Sequence, residues 1–124
     1  TVDKVKVNTK DWKLISGDAN DTCTTPTFEG LASVRGFYMQ DYTYPGPPEG
    51  KLFWAFAILP EDADKMPIDG IVNQQSGYIE VGIQNATKTL EAQWKKATKD
   101  HPATIDLNYF STYCEGIPSV KIVR

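Results

Sequence analysis

The sequence predicts an all-β, mainly antiparallel fold with a single helix, and three observations carry that prediction. Short runs of alternating apolar and polar residues recur along the 124 residues, nine glycines and eight prolines punctuate them, and one stretch alone has apolar residues at helical spacing. The expected arrangement is a β-sandwich or jelly-roll-like fold of about eight short strands, with an open β-barrel as the alternative. The helix falls near residues 86–99.

Taken in order, Val5 and Val7, then Trp12 and Leu14, alternate with polar residues and read as one or two half-buried strands. Lys4, Lys6, Lys10 and Lys13 decorate their solvated side. Residues 16–22 form a polar turn. A strand follows over 28–40, with Val34 and Tyr38 on one face and Phe37 and Met39 on the other; Gly36 inside it marks a bulge or a close backbone approach. Residues 52–59 are apolar on both faces, the pattern of a central strand, which places Trp54 in the core.

An acidic loop spans 60–67 and a short strand is expected over 68–72. Over 78–84, Ile79, Val81 and Ile83 point inward and Glu80 outward. In the helix, Leu90, Trp94 and Ala97 make a narrow apolar stripe, Asn85 or Thr87 caps the start, and His101-Pro102 stops it. The last strands cover 104–110, with Ile105, Leu107 and Tyr109 sharing a face, and 119–123. First and last strands lack proline, so a homodimer, formed edge to edge or through the tyrosine loop, is an expectation.

Residues 1–124 read as one β-rich domain, and a start at Thr with an end in strand-like alternation suggests a piece excised or processed from a longer chain. Thirteen basic against sixteen acidic residues give a net charge of −3, which supplies no drive toward nucleic acid or an anionic bilayer. The longest apolar run, 52–59, is too short to span a membrane as a helix, so no membrane insertion is expected. Cys23 and Cys114 are either a long-range disulfide or two reduced thiols. The sequons at Asn20 and Asn85 tilt the reading toward an extracellular or surface-exposed setting.

Catalytic signatures fail on inspection. The run 46–51 lacks a spacer residue and the Ser or Thr of a phosphate loop, and its prolines remove donors that would cradle phosphate. One histidine, His101, leaves too few ligands for zinc, and no serine sits in a nucleophile elbow. Calcium is a weak candidate at Asp18, Asn20 and Asp21, or at Asp62 and Asp64 beside Glu61 and Asp69, though neither loop has the order of an EF-hand. Glu80 and Asp106 are the acids a small glycosidase-like enzyme would use. The order Cys23, Trp54, Cys114 does not fit the spacing of immunoglobulin domains.

The aromatic loop carries more weight. Tyr42, Tyr44, Pro45 and Pro47 make a stiff, exposed segment, and tyrosine on such a loop offers contact area at low entropic cost; Trp12 is a further candidate contact. The expected function is therefore a non-enzymatic interaction domain for attachment or assembly on a cell envelope or virus particle, such as a protruding capsid or spike domain, with a protein or glycan partner. A carbohydrate-binding module is the alternative.

Overall fold

One long strand organises the molecule. The computed structural model describes residues 5–73 and 75–123, so Lys4 lies outside the described residues. The elements run β1 (Trp12–Ser16), β2 (Thr27–Tyr42), β3 (Leu52–Ile58), β4 (Ile79–Ile83), α1 (Lys88–Lys96), β5 (Ala103–Ser111) and β6 (Ser119–Ile122). The mainly antiparallel β-rich fold with one helix is what forms, from six strands. Of the extra runs expected at 5–7 and 68–72, the structure keeps a single bridge, Val7 to Ile68.

With sixteen residues, β2 serves three partners. One of its edges pairs with β1 and then with β3, while the opposite edge pairs with β5. β3 pairs with β4, β4 runs parallel to β6, and β6 pairs back onto β5. These pairings close a ring, β2-β3-β4-β6-β5, to which β1 is added, and closure accords with the barrel-like alternative. Ring closure also corrects the edge argument: β6, last in sequence, lies between β4 and β5 and offers no free edge. The parallel pair requires a crossover, and α1 followed by β5 provides it.

Alternation fills the inside of this ring. Val34, Phe56, Ile58, Ile79, Val81, Ile105, Leu107, Val120 and Ile122 are all buried. Register shifts after Glu29 in β2 and after Leu107 in β5 change which residues point inward. Phe28 and Phe110 thereby enter the core with ring centroids 6.2 Å apart. Tyr109, expected to share a face with Ile105 and Leu107, is turned to the opposite side, where the Lys121 ammonium lies 4.5 Å from its ring. Gly36 is a close approach, as expected: a Cβ there would strike the Ala57 carbonyl.

The helix is shorter than its apolar stripe suggested. Thr87 caps it, its Oγ1 accepting from the Leu90 N–H at 3.2 Å, and Ala97 already has extended backbone, because Thr98 and His101 close a turn of their own. Trp94 anchors the helix against Phe56 and Tyr38, at 5.5 and 5.3 Å between ring centroids. Just before the helix, the Asn85 side chain grips the last strand: its Nδ2 donates to the Ile122 carbonyl at 2.8 Å and its Oδ1 accepts from the Ile122 N–H at 2.9 Å.

Candidate functional site: a cleft between two loops

The loop from β2 to β3 is ordered by its own backbone. The Thr43 N–H donates to the Lys51 carbonyl at 2.9 Å and the Lys51 N–H to Thr43 Oγ1 at 2.7 Å, closing the base. Within it, Gly46 and Gly50 donate to the carbonyls of Thr43 and Gly46, and Gly46 takes a positive φ of 93° that favours glycine. Prolines add stiffness. Tyr44 therefore stands 97% exposed and Tyr42 42% exposed on a preorganised segment, with Pro45 and Pro47 also exposed.

Facing this loop is the segment from β5 to β6. Glu115, Gly116 and Ile117 form one side of a cleft of about 570 Å³, while Asp41, Tyr42, Thr43 and Tyr44 form the other, with Phe53 and Asn73 completing the lining. None of these lining residues is basic. The 115–117 wall carried no signal in the sequence beyond its glycine, since its role depends on ring closure bringing β6 beside β4.

Beneath one wall lies a buried carboxyl. Glu80 was expected outward on a solvated strand; it does point away from the ring's interior, yet it is only 3% exposed. It pairs across the strands with Ala57, and the alanines at 55 and 57 leave room for its carboxyl to reach over β3 to Asp41 on β2. Ser76 Oγ donates to Glu80 Oε2 at 2.9 Å, while Oε1 has no donor among the described residues. Burial first, then the Asp41 carboxyl, pushes the Glu80 pKa up to about 7 against the bond from Ser76.

Other candidates are placed elsewhere. Trp12 is 3% exposed and its Nε1 donates to the Lys65 carbonyl at 2.8 Å, so it is a core residue and no surface platform. Trp54 is the reverse correction: at 41% exposed it lies flat on Tyr38, 5.8 Å between centroids, with the Lys95 ammonium 4.6 Å from its ring. β4 pairs only with Phe56–Ile58, so the first half of β3, with Leu52 and Trp54, runs past the closed part of the ring, which sequence alternation cannot reveal.

The acidic candidates are committed to the chain itself. Asp18 and Asp21 accept from the Asn20 and Cys23 backbone at 2.9 and 3.1 Å, and Asn20 Oδ1 accepts from the Val5 N–H at 2.9 Å. Asp62 is 2% exposed; Arg35 donates to it from its backbone and from its guanidinium, and Lys65 lies 3.4 Å away. Burial alone would raise the Asp62 pKa, and the Arg35 hydrogen bonds overcome it and hold it low. Asp64 stays exposed. Among the described residues no group of three or more His, Cys, Asp or Glu is gathered to hold a metal ion. Glu80 and Asp106 are not brought together either, because β6 separates their strands and Asp106 accepts from Ser33 Oγ.

Compared with known proteins, the chain matches no family model, no curated protein and no solved structure. The reading of function rests on the cleft.

Proposed function

We propose that this chain is a non-enzymatic recognition module that holds an uncharged oligosaccharide in the cleft, serving attachment or assembly at a cell envelope or virus surface. The observation that carries this reading is the convergence of the ordered tyrosine loop and the 115–117 wall on one cleft. Tyrosine faces suit the C–H faces of sugars, and Asp41, Asn73 and Glu115 offer planar acceptors for hydroxyl groups. Small five-stranded Greek-key barrels bind oligonucleotides and oligosaccharides at their loops and on one strand face, which gives the site a fold-level analogy. Glu80 is 3% exposed and does not line the cleft, which favours binding over hydrolysis by that acid.

A second reading, single-stranded nucleic acid, is favoured by the same barrel analogy and by exposed Trp54 beside Lys95. The acidic cleft weighs against it, since phosphates would meet carboxylates. A glycan array, run with oligothymidine as a parallel arm, separates the two. Glycan binding lost in Tyr44→Ala supports the proposal; oligothymidine binding that weakens steeply with salt would replace it.

Self-association belongs to the same reading. Among the described residues β1 pairs with β2 alone, and it carries Leu14 and Ile15 exposed at 37% and 45%, so a second copy can add along this edge. Sedimentation over a concentration series is expected to show a dimer weakened by Ile15→Lys; a monomer throughout removes this part of the proposal.

A further inference from the structure

Two thiols far apart in sequence lie on adjoining segments beside the cleft. At the end of β2 where it pairs with β5, Thr27 lies opposite Ser111, and their hydroxyls are 3.0 Å apart. The pairing continues outward as the Thr112 N–H donates to the Pro26 carbonyl at 3.2 Å. Beyond it, Cys23 sits in a short 3-10 helix, Thr22–Thr24, with its N–H held by the Asp21 carboxylate, and Cys114 sits three residues past Ser111. Both thiols are exposed and unbridged, and the neighbouring Cys114 thiol first, then partial desolvation and the Asp21 and Glu115 carboxylates, push the Cys23 pKa up to about 11.

Cys114 immediately precedes the wall residues Glu115, Gly116 and Ile117. The backbone bonds that tie this segment lie at its ends: the Thr112 N–H to Pro26, and the Gly82 N–H to the Pro118 carbonyl at 2.9 Å. We propose that Cys23 and Cys114 are a disulfide site whose closure fastens the 115–117 wall and sets the shape of the cleft. The oxidant is a low-molecular-weight disulfide. One cysteine thiolate attacks it to form a mixed disulfide and release one thiol; the second cysteine then displaces the remaining thiol, leaving one intramolecular S–S bond and two reduced small molecules. The importance of the wall rests on the cleft reading above, whereas bridge formation does not.

The test uses the intact chain and oxidised glutathione, without ligand. Intact mass lower by two hydrogens, loss of both titratable thiols and slower amide hydrogen exchange over 113–117 by several-fold are expected. Cys23→Ser should show no such slowing under the same oxidant. Two free thiols after oxidation, stable glutathione adducts on both cysteines, or a covalent dimer would overturn the site. A bridge that forms without changing exchange over 113–117 would overturn its control of the wall. If the bridge forms and slows exchange but no sugar binds, the cleft reading fails and the disulfide site stands.

Discussion

Glu80 shows how strongly one side chain's chemistry depends on its neighbours. Its carboxyl keeps a proton up to about pH 7 in the folded chain, against an ordinary value of 4.5. The folded state therefore binds more protons than the unfolded state between those values, so its stability is full below about pH 4.5 and falls as pH rises through 7. The loss is on the order of 3 kcal/mol. Glu80→Gln, neutral at every pH, should flatten that part of a melting-temperature profile and melt higher than the parent on the alkaline side; an unchanged slope would show that the proton resides elsewhere. The tryptophans give a second residue-scale contrast. Trp12→Ala should cost about 3–5 kcal/mol in urea unfolding through a core cavity, whereas Tyr44→Ala should stay within about 0.5 kcal/mol. Comparable losses would mean that the tyrosine loop is structural.

At the scale of elements, the chemistry of Asn85 links the helix start to the final strand. Asn85→Ala leaves the Ile122 N–H and carbonyl without their side-chain partners and should lower stability by about 1–3 kcal/mol, read by denaturant unfolding. A glycan on that nitrogen would break the same bonds, so mass spectrometry of secreted protein should find Asn85 unmodified. Much at this scale was legible in the sequence: the Leu52–Ile58 strand between two neighbours, the Gly36 contact and the Thr87 cap all follow from local pattern. What local pattern could not carry were consequences of register and coverage. A one-residue change of phase turns Phe110 in and Tyr109 out, and β4 pairs only with Phe56–Ile58 of β3, which leaves Trp54 exposed while Trp12 is covered. Likewise, the sequence located the tyrosine wall of the cleft, but the 115–117 wall depends on pairing between strands distant in the chain.

For the whole molecule, ring closure leaves open sheet edges along β1 and along the first half of β3 among the described residues, and puts the proposed recognition surface in the loops. The tyrosine loop meets its partner wall without a basic residue in the lining, so the cleft selects against polyanions while offering aromatic faces and hydroxyl acceptors. Ligand contact should therefore depend on Tyr42 and Tyr44 much more than on salt, with either alanine variant weakening binding about tenfold, or 1–2 kcal/mol. The most direct measurement is a backbone-amide NMR titration of the intact chain with neutral hexasaccharides, chitohexaose and cellohexaose, repeated on Tyr44→Ala. Saturable shifts confined to residues 41–44, 53 and 115–117, saturating at about tenfold higher sugar in the variant, are the predicted result. Shifts centred on β1, shifts unaffected by Tyr44→Ala, or no response to the sugars while oligothymidine moves the face around Trp54 would contradict the account.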